Sequence, residues 1–201
     1  MLCGRGDPVN ILGICASHRK KKDTYKVLIG ALEASGAEMD ILQVSDLHIL
    51  PCRACYEVCS ENPYACTIDD DLPLLMEKMR DAHAILLASP LYSPLLVPSR
   101  LGIIIERLSC LSFFESIRRK KGEQLLTGKS CGIITVSGGS EPLELLKLLA
   151  NFSLMLGLEV VTLNQYPYFG AWVKSPVEED GEGMDQAKKI GTLLKGKIVS
   201  R

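Results

Sequence analysis

Short continuous apolar runs alternate along this chain with longer segments in which apolar residues recur every three or four positions. Short runs bounded by polar residues are typical of buried strands, and the longer spacing is typical of amphipathic helices. The runs predict strands at 9–15, 39–44, 83–89, 131–136 and 158–163. The longer segments predict helices at 24–35, 72–79, 98–110, 141–156 and 185–194, with a polar excursion over 113–129.

Strand and helix alternate five times, which predicts an α/β fold built on a five-stranded parallel sheet. Parallel strands need right-handed crossovers, and helices cover both faces, so the expected arrangement is three-layered and doubly wound. A cysteine-rich segment at 52–66, called the Cys segment below, interrupts the pattern after the second strand. Because no repeat or low-complexity linker divides the chain, we expect one domain over 1–201 with the Cys segment inserted as a loop.

Composition and charge limit the class of protein. The 201 residues are 47% hydrophobic, which excludes disorder for most of the chain, and the net charge of -1 argues against a nucleic-acid binder. The apolar runs are far shorter than the roughly 20 residues of a transmembrane helix. Arg5, Asp7 and Pro8 interrupt the start, where a signal peptide would need an apolar region. We therefore expect a cytoplasmic protein with no membrane partner.

Open parallel sheets bind ligands beyond the carboxyl ends of their strands. Three loops are predicted at that edge: the first loop (16–23), the second loop (90–97) and the third loop (137–140). The first loop combines hydroxyls at Ser17 and Thr24 with several cations before a helix, where free N–H groups favour a phosphate. Neither a Walker P-loop nor a dinucleotide-binding glycine pattern fits the sequence. A mononucleotide remains, and FMN is the usual occupant of this architecture.

Residues 16–24 read A-S-H-R-K-K-K-D-T and resemble the phosphate loop G-S-P-R-x-x-G-N-T of the iron–sulfur flavoproteins. That family lies within the flavodoxin-like NADPH-dependent FMN reductases. Three residues match without a gap, namely Ser17, Arg19 and Thr24. Lys22 replaces the family's glycine, and Asp23 replaces its asparagine.

Other segments resemble the same family in the same order along the chain. S-P-L-Y at 89–92 is similar to the family's S-P-x-Y loop, and L-G-I-I-I-E-R at 101–107 is similar to its L-K-x-x-I-D-R helix. The segments 138–141 and 180–191 also fit the family's third flavin loop and its tail. Each match alone is weak, but their order and spacing together are fairly specific, so the resemblance implies a flavodoxin-like, FMN-binding domain.

The resemblance also assigns the flavin contacts. The first loop and the start of its helix would hold the FMN phosphate through Ser17, Arg19, Lys22, Asp23 and Thr24. Two further loops would flank the isoalloxazine ring, through Ser89, Pro90, Leu91, Tyr92 and Ser93 on one side and Ser137, Gly138, Gly139 and Ser140 on the other. No side chain is nominated as a catalytic acid or base, because the redox chemistry belongs to the cofactor.

The Cys segment carries four of the chain's eight cysteines with the spacing C-x2-C-x3-C-x6-C, at Cys52, Cys55, Cys59 and Cys66. Four thiolates on a short loop can surround an iron–sulfur cube or one tetrahedral zinc ion. The residues alone leave three alternatives, which are a cluster, a structural zinc, and free or redox-active thiols with Cys52 and Cys55 as a pair. The family motif, C-x2-C-x2-C-x4-7-C, is similar, and the resemblance implies a [4Fe–4S] cluster.

The remaining cysteines, Cys3, Cys15, Cys110 and Cys131, show no metal-ligand spacing. Cys15 and Cys131 fall within predicted strands and are expected to be core residues. His48 lies four residues before Cys52 and could ligate a metal, but it is expected to be a partly exposed loop residue.

The resemblance implies a flavin-dependent oxidoreductase that transfers electrons between FMN and a [4Fe–4S] cluster. Its expected partners are a small redox donor or acceptor, such as ferredoxin or NAD(P)H, and a second copy of the chain in a homodimer or homotetramer. The first alternative is an NAD(P)H-dependent FMN or quinone reductase without a cluster. The second is a zinc-stapled flavodoxin-like binding protein without turnover.

Overall fold

A computed structural model describes residues 9–62, 66–92, 94–118 and 125–200. The strands within these ranges are β1 (Asn10–Cys15), β2 (Glu38–Gln43), β3 (Ala84–Pro90), β4 (Ser130–Ser137), β5 (Glu159–Val160) and β6 (Ala171–Lys174). The helices are α1 (Asp23–Ser35), α2 (Tyr56–Glu61), α3 (Leu72–Asp81), α4 (Ser99–Arg118), α5 (Leu143–Met155) and α6 (Gly181–Val199). No helix in the described ranges is long and apolar enough to cross a membrane.

The strands form one parallel sheet in the order β2-β1-β3-β4-β5, and β6 also pairs with β4. The polypeptide moves from β1 outward to β2 and then back across β1 to β3, so the order reverses between β1 and β3. Such a reversal creates a crevice at the carboxyl ends of the strands. The predicted doubly wound parallel sheet is confirmed, with one strand more than expected.

Helices cover both faces of the sheet and bury two separate apolar cores. On one face, α1 and α6 pack over buried residues that include Leu28, Leu32 and Ile190. On the other face, α3, α4 and α5 cover a second core that includes Leu75, Ile104 and Leu149. Each helix contributes one apolar stripe to its core, as the three-to-four-residue periodicity predicts.

The predicted fifth strand, 158–163, is divided in the structure. β5 holds only two residues and pairs with the start of β4, where Ser130 faces Glu159. The second half of β4 pairs instead with β6, where Ile134 faces Ala171. Strand β6 was not predicted, because four residues are too few to show a clear period.

Helix α4 is longer than predicted. The expected helix ended at residue 110, and a polar excursion was expected from 113, but the helix continues to Arg118. Leu111, Ser112 and Glu115 remain buried along the same face. The prediction was wrong because Ser112 and Glu115 are polar in composition but core-facing in position, with Ser112 Oγ donating to the Met155 carbonyl at 2.7 Å.

Candidate functional site

The carboxyl ends of β1, β3 and β4 align at one edge of the sheet. In the strand register Cys15 faces Ala88, and Ser89 faces Thr135. Backbone bonds continue this alignment into the loops, since the Ala16 amide donates to the Ala88 carbonyl at 2.8 Å. The three predicted ligand loops therefore begin side by side.

The first loop turns sharply into α1. Ser17 is buried, and its Oγ accepts a bond from the Arg19 amide at 3.1 Å, which closes a tight turn. Lys22 precedes the helix and, within the part of the chain that the structure describes, provides no side-chain cap to it. Thr24 is buried in the first helical turn. The first amides of a 13-residue helix thus face the loop without a capping side chain, as an anion site requires.

The charges of the first loop are mostly positive and solvent-exposed. Arg19 is 65% exposed, with Nη2 3.9 Å from the Asp23 carboxylate, and Lys20 pairs with Asp46. Asp23, which replaces the family's asparagine, accepts a bond from the Ser175 hydroxyl. That bond orients the Asp23 carboxylate toward the loop after β6. The Ser175 hydroxyl thus provides a hydrogen-bond donor to this negative charge at the edge of the predicted phosphate site.

The second loop leaves β3 through a buried Ser89, whose hydroxyl donates to the Pro90 carbonyl at 3.1 Å. The Tyr92 amide donates to the Leu96 carbonyl at 3.0 Å, and Leu96 adopts a left-handed φ of 63°. The Tyr92 ring meets the His18 ring edge to face at 5.6 Å between centroids. This contact joins the second loop to the first, and it adds His18, which was not among the predicted site residues.

The third loop is held open by a small hydrogen-bond network. Ser137 Oγ donates to the Ser140 carbonyl at 2.6 Å and accepts from Trp172 Nε1 at 2.8 Å. Gly139 has a φ of 135°, which side chains other than glycine rarely adopt, and a Cβ on Gly138 would meet no atom within 4 Å. The backbone of this loop is therefore bare and accessible to a ligand. Trp172 lies on β6 and was missed with that strand.

The second and third loops share a cavity of about 180 Å³. Leu91 and Leu96 line it from the second loop, Ser140 lines it from the third, and Pro142 lines it from the start of α5. Of the predicted flavin contacts, Leu91 and Ser140 thus face one space, whereas Ser93 lies outside the described residues. The first loop does not contribute to this cavity but adjoins it through His18 and Tyr92.

The Cys segment brings its four thiols near one another. Cys55 immediately precedes α2, and Cys59 follows one helical turn later, so both point along one side of that short helix. Cys59 is only 6% exposed. Burial raises the pKa of the Cys59 thiol, and the negative charges of the other three cysteines of the segment raise it further. No three His, Cys, Asp or Glu side chains in the described ranges form a ready-made site for one metal ion.

A fifth thiol lies beside this group. Burial raises the pKa of Cys110 to about 11, and the next contributions come from the charge and hydrogen bond of Cys52. Glu106, one turn earlier on α4, accepts a bond from the Cys52 amide at 3.2 Å. Sequence spacing could not find Cys110, because its proximity depends on how the Cys segment lies across α4.

A buried ion pair lies next to the thiols. The side chains of Arg107 and Asp70 are 2% and 0% exposed, and Arg107 Nη1 donates to Asp70 Oδ2 at 2.7 Å. Arg107 Nη2 donates to Cys66 Sγ at 3.2 Å. Burial opposes the charge on Asp70, but bonds from Arg107 and from two backbone amides outweigh it and lower the pKa of that carboxyl.

Comparison with known proteins places this geometry in a family. The family model described as NADPH-dependent FMN reductase matches residues 9–173, which include all three ligand loops and the Cys segment. The chain belongs to this family. An iron–sulfur flavoprotein of Methanosarcina thermophila is 31% identical over 194 residues, covering 92% of this chain and 95% of the relative. The predicted family is thereby confirmed.

Solved structures confirm the flavodoxin-like fold of this FMN reductase family member. The NAD(P)H:quinone oxidoreductase from Methanothermobacter marburgensis matches with a TM-score of 0.65 at 15% identity, covering 94% of this chain and 98% of that one. A WrbA-like flavodoxin protein from Agrobacterium tumefaciens matches with a TM-score of 0.61 at 13% identity, over 96% and 98% of the two chains. As a member of the FMN reductase family, the protein is a flavin-dependent oxidoreductase.

Proposed function

We propose that this oxidoreductase binds FMN at the three loops and transfers electrons between FMN and a [4Fe–4S] cluster held by the Cys segment. When bound, FMN takes up a hydride or single electrons, and an iron–sulfur cluster exchanges single electrons. The observation that carries the proposal is the grouping of four thiols around the buried Cys59 in a chain whose sheet edge has the loops of a mononucleotide site.

The first loop is proposed to hold the phosphate. The hydroxyls of Ser17 and Thr24 and the first amides of α1 would donate to its oxygens, and Arg19 would add a charge-assisted bond. Lys22 contributes positive charge. Asp23 would orient the loop through Ser175, because its carboxylate cannot itself approach a phosphate favourably.

The second and third loops are proposed to hold the ring. Tyr92 offers an aromatic surface, and the backbone of Ser89, Pro90 and Leu91 offers polar groups for the ring's carbonyls and nitrogens. Ser93 belongs to the same proposed set. On the opposite side the proposed contacts are Ser137, Gly138, Gly139 and Ser140. The open backbone at the two glycines supports this role, because nothing there blocks close approach of a flat ligand.

The residues of the Cys segment fit an iron–sulfur cluster in donor type, and the charges of three of its thiols act on the fourth, Cys59. Cys52, Cys55, Cys59 and Cys66 would be the ligands, and thiolates are the usual ligands of such clusters. Burial raises the pKa of Cys59, and the charges of the neighbouring thiols raise it further. Coordination to a cation would relieve the repulsion among these thiolates, which supports a metal-containing group at this position.

A cluster-free NAD(P)H-dependent FMN or quinone reductase is the second candidate. It is favoured by the matching family model, which is described as NADPH-dependent FMN reductase. A structural zinc in a protein without turnover is the third. Metal and flavin analysis of anaerobically purified protein separates the three, because FMN is yellow, a cluster adds broad brown absorption and zinc adds no colour.

The cluster assignment has a direct test with a matched control. Cys59→Ala removes a proposed ligand, so the brown absorption and the reduced-state EPR signal should disappear while FMN remains bound. Cys110→Ala removes the neighbouring thiol that is not a proposed ligand, and it should keep both signals. Stoichiometric zinc or metal-free wild-type protein would contradict the cluster, and cluster loss in Cys110→Ala alone would contradict the ligand set.

The phosphate site is tested by comparing FMN with riboflavin, which lacks the phosphate. Arg19→Ala removes a charge-assisted hydrogen bond worth about 1.5–3 kcal/mol, so FMN affinity should fall about 10- to 100-fold. Riboflavin affinity should stay unchanged. Lys20→Ala is the control, because Lys20 is equally exposed but pairs with Asp46. Equal loss of FMN and riboflavin affinity in Arg19→Ala would contradict the site, as would FAD recovered as the native flavin.

We further propose a cytoplasmic homodimer or homotetramer that exchanges electrons with a small donor or acceptor such as ferredoxin or NAD(P)H. Large apolar side chains are exposed at Leu95 in the second loop and at Phe113 and Ile117 on α4, by 71%, 58% and 65%. Such residues are common at interfaces between subunits. Light scattering at micromolar concentration should show a dimer or tetramer, and a monomer would refute the assembly.

A further inference from the structure

We infer that Arg107 is a positioning residue for the cluster: its buried guanidinium fixes both ends of the Cys segment and donates to the sulfur of Cys66. The inference rests on the cluster assigned above. Its basis is the set of contacts that one side chain of α4 makes with a segment far from it in sequence.

Arg107 connects the two ends of the segment. Nη1 donates to the Leu50 carbonyl, two residues before the first cysteine, at 2.7 Å. The same nitrogen donates to Asp70 Oδ2, four residues after the last cysteine, at 2.7 Å. Nη2 reaches Cys66 itself at 3.2 Å. One planar group therefore sets the distance between the entry and the exit of the loop.

Asp70 completes the connection from the other side. Its Oδ2 accepts from the Leu50 amide at 2.9 Å, and its Oδ1 accepts from the Leu72 amide at 3.0 Å. The ion pair is thus hydrogen-bonded to the backbone at Leu50, before the Cys segment, and at Leu72, where α3 starts.

The cost of this arrangement argues for a role beyond packing. A buried ion pair is often no more stabilising than apolar residues of similar volume, because both charges lose their hydration. Arg107 follows Ile104 and precedes Leu111 on the core-facing stripe of α4, where an apolar side chain would be usual. A guanidinium at this position provides what an apolar residue cannot, namely a fixed donor for a sulfur and two oxygens.

Two consequences follow for a bound cluster. A segment whose ends are fixed holds its thiols near their binding positions before the cluster is inserted, and partners of metal ligands commonly change metal retention about 10- to 100-fold. A cationic N–H donor to a ligand sulfur stabilises the more negative, reduced form of a cluster. Arg107 should therefore both slow the loss of the cluster and raise its reduction potential.

The experiment compares Arg107→Gln and Arg107→Lys with Arg100→Gln as a matched control. Arg100 lies on the same helix and donates to the Leu47 carbonyl at 2.8 Å, but it bonds no cysteine. The measurements on anaerobically prepared protein are FMN content, the rate of cluster loss to an iron chelator, and the midpoint potential of the cluster by EPR titration.

Arg107→Gln should bind FMN normally, lose its cluster about 10- to 100-fold faster than wild type, and show a lower midpoint potential. Arg107→Lys keeps the positive charge but loses the planar set of N–H donors of the guanidinium. The midpoint potential of its cluster should therefore be closer to that of wild type, while cluster loss stays fast. Arg100→Gln should match wild type in both. If Arg107→Gln does not fold, as absent FMN would reveal, Arg107→Lys alone decides through its rate of cluster loss.

Wild-type retention and potential in the Arg107 variants would overturn the inference and leave the cluster intact as a proposal. A wild-type protein without a cluster would instead overturn the proposed function. Equal acceleration of cluster loss in Arg100→Gln would show that any break in the attachment of α4 to the loop is sufficient, which also overturns the specific role of Arg107.

Discussion

Cysteine chemistry in this chain is decided residue by residue, through what surrounds each sulfur. Cys131 lies near the start of β4, is 1% exposed and contacts the Ser153 hydroxyl at 3.5 Å. Burial raises its pKa to about 11, and the Ser153 bond offsets only part of that effect. Cys15 is also fully buried, so the core positions predicted for both residues are confirmed. Cys59 is similarly buried but has other thiols as neighbours, which makes it a candidate ligand instead.

The first residue-scale prediction concerns the reactivity of Cys131. At pH 8 its thiol is neutral and covered, so iodoacetamide should leave it unmodified in the native protein and label it only after unfolding. Cys52 and Cys55 in metal-free protein are half-exposed and serve as internal positive controls. Mass spectrometry of tryptic peptides measures both, and rapid native labelling of Cys131 would contradict the buried position.

The same residue predicts a dependence of stability on alkaline pH. The pKa of Cys131 is higher in the folded protein than the value of about 8.5 expected in the unfolded chain. The unfolded chain therefore loses this proton first, and the contribution of Cys131 to stability, complete below about pH 8.5, falls as pH rises toward 11. Thermal melting between pH 8 and 10.5 should decline more steeply in wild type than in Cys131→Ser, and parallel declines would contradict the shift.

At the scale of elements, α1 and α6 pack together so closely that only glycine fits at one point of contact. A Cβ on Gly191 of α6 would lie 1.9 Å from the Ala31 carbonyl oxygen of α1. Farther along α6, a Cβ on Gly196 would meet no atom within 4 Å. The same helix therefore offers a crowded and an open glycine.

Alanine substitution at these two positions should have opposite effects. Gly191→Ala forces the helices apart and should destabilise the protein by about 1–3 kcal/mol. Gly196→Ala only gains helix propensity and should stabilise by up to about 1 kcal/mol. Urea unfolding measures both, and a neutral or stabilising Gly191→Ala would show that α6 shifts without cost.

Most of the helices and strands can be predicted from the sequence, because they depend on the local spacing of apolar residues. Strands β1 to β4 and the helices α1, α3, α5 and α6 follow apolar spacing that no distant contact needs to modify. The end of α4 and the existence of β6 depend on tertiary partners. The local pattern therefore gave a wrong prediction for 113–118 and no prediction of a strand at 171–174.

The candidate site divides in the same way. The first, second and third loops were predicted to meet because parallel strands end at one edge, and the structure confirms their common position although not their ligand. The buried role of Arg107 could have been predicted, since a charged residue on the apolar stripe of a helix indicates a buried partner of opposite charge. Cys110, His18 and Trp172 had none, because each joins the site through a contact between separate elements.

At the scale of the whole molecule, the Cys segment packs against the main core and is not a separate exposed loop. Cys59 of the segment, with Leu47 before it and Leu72 after it, belongs to the same buried cluster as the residues of α4 and α5. Arg100 and Arg107 add hydrogen bonds from α4 to the backbone at Leu47 and Leu50. The segment and the sheet should therefore unfold together.

Thermal unfolding followed by flavin fluorescence, circular dichroism and cluster absorption should give coincident transitions in the holoprotein. Excess FMN at about 100 times its dissociation constant should add about 2.7 kcal/mol of stability, or roughly 5–10 °C in Tm for a chain of this size. Loss of cluster absorption well before the other two signals would show that the Cys segment opens independently.

The division of the strands along the outer side of β4 has a consequence for colloidal behaviour. Aggregation through sheets starts from a long, flat edge with a row of unpaired backbone groups. Here one edge is split between β5, with two residues, and β6, with four, and they cover different halves of β4. The opposite edge, β2, carries Glu38 and Asp40. Fibril-like growth by strand addition is therefore disfavoured at both edges, and copies of this chain are expected to meet through helices and loops.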